Sequence, residues 1–275
     1  VLPQLFLLFD LRKEYRGIAI TGTDAEEYYD SRIREAYDGN WRLASPDLYE
    51  YKKAPYVQPP LLEIGEGILA KVFGLTAAQM ITFGKFLFPC LLYLVLYYLT
   101  LSFSKNKIFS LTLPFVIVVG SNVIFHPRDF LYITTFHWDR LRSMIDYTRP
   151  INPQLSSLFF FSWLFIFYEW LKSKKKSLYI ASAAFLGLMF YTYLYSWTLA
   201  FGIVGIFSIL SLFNNKIKED FPFSKLLWMI IFAFIIGIPY WMNFYSLASN
   251  PLYSEVQKRY GFFSSHGFLW STTLA

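Results

Sequence analysis

Beyond residue 76 the chain is a succession of long apolar windows separated by short polar connections, and before it the pattern is mixed. The windows fall at 77–103, 107–125, 155–171, 178–194, 197–213 and 226–245. Each approaches the roughly 20 residues that cross a hydrocarbon core as a helix. In lipid every backbone N–H and C=O must be satisfied within the segment, so the windows are predicted to be helices. Residues 77–245 are therefore expected to form a six-helix transmembrane region. Aromatic residues near the window ends, among them Tyr97, Tyr98, Trp163, Trp170, Trp228 and Tyr240, are placed as an interfacial belt would be.

The segment 10–76 carries a different periodicity. Residues 25–37 are good helix formers; Asp24 stands at the N-cap position, with Glu27 three residues on as in a capping box. A second helix over 58–74 opens on Pro59 and Pro60 and stops at Gly74. Its residues Leu61, Leu62, Ile64, Ile68, Leu69, Val72 and Phe73 form an apolar face suited to the surface of a bilayer.

Composition sharpens this picture. The chain is 55% hydrophobic and 16% charged, where soluble domains carry about a quarter charged residues. The net charge of +6 does not point to nucleic acid, because the lysines crowd into the connections 104–107, 172–176 and 214–225. With six spans these three connections share one side, and the positive-inside rule makes that side cytoplasmic. Segments 10–76, 126–154 and 246–275 then face outward together, and they hold most of the unusual polar residues. The lone Cys90 lies inside a window, where it reads as a small buried apolar residue and excludes an intrachain disulfide. Residues 1–9 have the character of the tail of a first membrane helix, so a fragment of a longer chain is expected.

The outward segment 21–76 presents Asp24, then Tyr28 and Tyr29, Arg34-Glu35, Gly39-Asn40-Trp41, Gln58-Pro59-Pro60-Leu61, and a helix closing on Phe73-Gly74. This ordered set resembles the first extracytoplasmic loop of the GT-C membrane glycosyltransferases. It is most similar to the branch of protein O-mannosyltransferases and the aminoarabinose transferase of lipid A. The run at 28–33 is also similar to the oligosaccharyltransferase branch. The resemblance implies an all-α, polytopic transmembrane bundle of GT-C type with a helical extracytoplasmic first loop. It further implies a plasma-membrane enzyme that moves a sugar from a polyprenyl-phosphate donor to a glycan, lipid or protein acceptor at the outer face. Gln58 stands where that branch has a lysine near the lipid phosphate, so the donor contacts are expected to differ.

Such a transfer needs a base for the acceptor and cations for the departing phosphate. The resemblance gives Asp24 as the base, a role compatible with its N-cap position. It also gives Asp129 as a second acid, the pair being able to hold a divalent cation (Mg or Mn) through oxygen ligands. Arg128, Arg140, Arg142 and Arg149 collect in one outward loop against the positive-inside trend, and arginine suits bidentate phosphate contacts. Tyr29 and Gln58 are further expected donor contacts. Lys258 and Arg259 either close over the donor or belong to a short interfacial helix. His126, His137 and His266 lack zinc-motif spacing. No Walker, Gly-x-Ser-x-Gly or dinucleotide-binding glycine pattern occurs. The alternatives are a transporter or flippase of lipid-linked sugars and a non-catalytic GT-C-like scaffold.

Overall fold

Every regular element among the described residues is helical. In the computed structural model these are residues 9, 11–14, 25–44, 49–120, 128, 132, 147, 149–213 and 222–251, the side chains of 25–27, 49 and 120 excepted. The segment before residue 76 supplies α1 (Ala25–Tyr37) and α2 (Leu61–Phe73). The two pack closely over Gly67, where a Cβ would lie 2.8 Å from the Ala36 Cβ and 3.0 Å from the Tyr37 nitrogen. Only glycine lets the backbones approach so far. As the sequence predicts, α2 starts after Pro60 and ends on Gly74, which takes a left-handed φ of 66°.

The chain then enters α3 (Ala77–Ser104) through a capping box between Thr76 and Gln79. At 28 residues this helix is about 42 Å long, beyond the thickness of a hydrocarbon core. α4 (Lys107–Phe115), capped by the Asn106 side chain, runs into a π turn over Val116–Gly120. α5 (Gln154–Ser173), α6 (Lys176–Leu188), α7 (Leu194–Phe213), α8 (Phe223–Ile236) and α9 (Ile238–Ala248) follow. A short 3-10 turn, Met189–Tyr191, extends α6. Between α8 and α9 the axis bends by 58° at Gly237. A Cβ on that glycine would come within 2.5 Å of the Phe190 ring, so the elbow is packed directly on an aromatic.

Two helices, α3 and α7, are long and apolar enough to cross a membrane, and the bent pair α8–α9 passes the same test when its halves are joined. The six expected windows thus divide. The described part of window 107–125, residues 107–120, forms the short α4 and a π turn, and window 178–194 holds the 13-residue α6 and a 3-10 turn. α5 has the length, but Gln154, Ser156, Ser157 and Glu169 lower its apolar content. Two further expectations are corrected. Trp163 and Trp170 do not form an interfacial belt; they share one helical face with Phe167 and are fully buried in the bundle. Cys90 is exposed, because it falls on the outward face of α3.

Two regions hold the molecule together. Trp163, Phe167 and Trp170 of α5 pack with Leu186 and Met189, with Ala200 and Val204 of α7, and with Leu226, Met229 and Ala233 of α8. A smaller cluster of Tyr29, Ile33, Leu62, Ala77, Ile81 and Ile151 joins α1 and α2 to α3 and to the turn before α5.

Contacts between the turns define two ends of the bundle. At one end a Ser102–Glu169 hydrogen bond links the α3–α4 and α5–α6 turns, and Lys172 donates to Ser102 at 3.3 Å. Tyr179 donates to the Lys225 carbonyl at 2.9 Å, which brings the start of α8 to the same end. Lys105, Lys107, Lys174, Lys175, Lys176 and Lys225 therefore gather there. At the opposite end lie α1, α2, the turn 149–153 and the 191–193 turn.

Candidate functional site

The end opposite the lysines is organised by one buried ion pair. Arg32 projects from the middle of α1 into the α1–α2 seam, and its Nε donates to Glu63 Oε1 at 2.8 Å, with both side chains fully buried. Its remaining nitrogens donate to the Leu43 carbonyl at 2.7 Å, the Gln58 carbonyl at 3.0 Å and the Tyr28 hydroxyl at 3.4 Å. One guanidinium thus fixes the loops on either side of the segment between α1 and α2. Burial is the largest single influence on Arg32 and pulls its pKa down, but the Glu63 charge together with Tyr28 and the hydrogen bonds to both leaves the group above its ordinary value. For Glu63 burial dominates and raises the carboxyl, against the pull of Arg32.

Gln58 extends this network. Its Nε2 donates to the same Glu63 oxygen at 3.0 Å, and its side chain is hydrogen-bonded to the buried Tyr29. The Tyr29 phenol is raised chiefly by burial and then by Glu63, while the positive charge of Arg149 acts to lower it. Across the seam, Tyr193 is raised by burial and lowered by a side-chain hydrogen bond with Asn152 and, more weakly, by Arg149. Arg149 therefore lies within electrostatic reach of two tyrosine hydroxyls, one from α1 and one from the turn before α7.

The turn that presents Arg149 is strained. Ile151, two residues on, has φ of 61°, a region a β-branched residue rarely enters, at a cost of about 1–3 kcal/mol. Its side chain is buried in the Tyr29 cluster, and that packing offsets the strain. Gln154 steadies the same turn by donating to the Tyr147 carbonyl at 3.0 Å.

A second connection ties the Gln58 loop to the elbow of α8 and α9. Asn243 of α9 accepts from the Tyr56 N–H at 3.1 Å and donates to the Tyr56 carbonyl at 2.9 Å. On the outer face of that elbow lies an apolar groove of about 720 Å³, lined by Ile230, Ile231, Phe234, Ile238, Trp241 and Tyr245. Burial pushes the Tyr56 phenol well above its ordinary value.

Of the expected site residues, Tyr29 and Gln58 are hydrogen-bonded to each other, and the exposed Arg149 lies within electrostatic range of Tyr29. Arg128 is exposed, and nothing among the described residues joins it to this group. Asp24, Asp129, Arg140, Arg142, Lys258 and Arg259 lie outside the described residues, as do His126, His137 and His266. Among the described residues no group of three or more histidines, cysteines or acids is placed to hold a metal ion. Arg34 pairs with Asp38 at 3.0 Å on the exposed side of α1 and lies over the Tyr37 ring at 5.4 Å.

Sequence reasoning missed Arg32, Glu63, Asn152 and Tyr193. One signal was present: Glu63 and Glu66 recur at i and i+3 on the same side of α2 as Leu62, Gly67 and Ala70, and that side is the buried one. The apolar Ile68, Val72 and Phe73 are exposed instead.

Chemically, a guanidinium beside two phenols and an amide is a set of donors for an anion, and a phosphate accepts from all three types. Compared with protein-family models, with curated proteins and with solved structures, the chain matches none.

Proposed function

We propose that the chain is the membrane-embedded part of a glycosyltransferase that takes a sugar from a polyprenyl-phosphate donor. The acceptor is a glycan, lipid or protein outside the plasma membrane. The observation that carries this reading is the convergence of Arg149 with Tyr29, Gln58 and Tyr193 at the end of the bundle opposite the lysines. The donor phosphate accepts from Arg149 and the neighbouring hydroxyls, and these donors stabilise the charge that grows as the glycosidic bond breaks. Asp24, which precedes α1 directly, takes the proton of the acceptor. The divalent cation that the resemblance implies would be held by Asp24 and Asp129.

The test uses the full-length protein with a polyprenyl-phosphate sugar and an acceptor mixture. Arg149→Ala is expected to lower transfer on the order of 10²–10³-fold, the loss typical for one transition-state donor. Asp24→Asn is expected to lower it roughly 10²–10⁴-fold, the contribution of a general base. Undiminished transfer in folded Arg149→Ala sinks the reading.

A transporter of lipid-linked sugars is the second reading, favoured by the broken helix at Gly237. It predicts movement of the intact donor across proteoliposomes with no sugar released.

A further inference from the structure

Glu66 plays no part in the arrangement above. It lies one turn after Glu63 on the buried side of α2 and is 1% exposed. Neither carboxyl oxygen has a hydrogen-bond partner among the described residues. Its surroundings are apolar or of like charge. Gly84 of α3 lies against it, with a Cβ there reaching 3.6 Å from Glu66 Oε1, and Phe88 flanks the same glycine. From its own helix Glu63 adds a negative charge.

From α1 the nearest cation, Arg32, is already committed to Glu63, and Tyr37 interacts with the exposed Lys71 through its ring. From α3, Lys85 is buried and itself engaged. Among the described residues the carboxyl meets neither a hydrogen-bond donor nor an uncommitted counter-charge, so burial holds the group as a neutral acid.

We infer that Glu66 is a proton-binding site built into the α2–α3 seam, occupied at neutral pH and emptied in mild alkali, and that its emptying loosens the helix that carries Glu63. This rests on how α2 is packed and not on the proposed reaction. Burial first, and then the charge of Glu63, lift the carboxyl from 4.5 to about 8. At pH 7 the neutral form is then in about tenfold excess.

The folded value lies above the unfolded one, so the native chain holds a proton that the unfolded chain has released. The associated stability is complete below about pH 4.5, declines as pH rises towards 8, and is absent beyond it. The folding equilibrium constant changes by as much as about a thousandfold over that window.

The experiment compares the unfolding of the full chain and of Glu66→Gln in detergent micelles, from about pH 5 to about pH 9. The wild type is expected to lose stability over this range and the variant to lose markedly less, so that the variant is the more stable of the two in alkali. Parallel curves overturn the proposal. If Glu66→Gln does not fold, the wild type is treated with a hydrophobic carbodiimide. The neutral carboxyl adds across the N=C=N group, its oxygen bonding to carbon and its proton passing to nitrogen, with nothing released. An adduct on Glu66 that forms near neutrality and is lost near pH 9 supports the site. A Glu66 that does not react near neutrality, or reacts equally at both, overturns it.

Discussion

The α1–α2 seam and the aromatic core of α5–α8 are stabilised in opposite ways. In the core, Trp163, Phe167 and Trp170 meet Leu186, Val204 and Met229, and stability comes from apolar area and close packing. In the seam, a fully buried Arg32–Glu63 pair organises two loops through five charge-assisted or neutral hydrogen bonds. A packed core tolerates small adjustments of shape. A buried ion pair tolerates the loss of both partners better than the loss of one. The seam beside the candidate site is thus held by the more specific and more fragile device, while the body of the bundle is held by packing.

The largest expected effect comes from breaking the seam. Arg32→Ala is expected to cost about 3–5 kcal/mol, because Glu63 is left buried without its counter-charge. Replacing the pair by Arg32→Met with Glu63→Leu is expected to recover most of that loss in denaturant unfolding. A double variant as unstable as the single one would show that the contacts to Leu43 and Gln58, rather than the charge pair, hold the seam.

In the core, Leu186→Ala is expected to cost about 2–5 kcal/mol through the cavity it leaves, with no recovery from a charge-reversing partner. A shift well below that would mean that the aromatic cluster closes over the gap.

The smallest effect belongs to the link between the regions. Asn243→Ala removes two hydrogen bonds to the Tyr56 main chain and is expected to cost about 1–3 kcal/mol. Its sharper readout is transfer activity, which is expected to fall if the Tyr56–Gln58 loop must stay docked on α9. Unchanged activity would uncouple the elbow from the site.

The apolar runs disclosed the positions of α3 and α7 almost to the residue, because a long stretch of uniform hydropathy leaves helix as the one solution in lipid. They could not disclose where a run breaks. The π turn after Phe115 and the elbow at Gly237 depend on neighbours such as Phe190, which no local pattern records. The same holds for the tryptophans, since a Trp near the end of a window fits an interfacial belt or a core equally well until a facing helix is in place. Within the site, Arg149, Tyr29 and Gln58 were nominated by motif order and residue chemistry. Arg32 looked like one charge among many in a polar helix.

What the sequence alone determined is the alternation of apolar helices with short polar turns, and the lysines that gather at one set of those turns. It did so because hydropathy and charge act residue by residue, with no need for a partner. Only the tertiary structure decided which charges lose their water. Arg32, Glu63 and Glu66 become buried through the close approach of α1, α2 and α3 at Gly67 and Gly84. Desolvation is a property of what surrounds a group, and those surroundings are assembled from segments far apart in the chain.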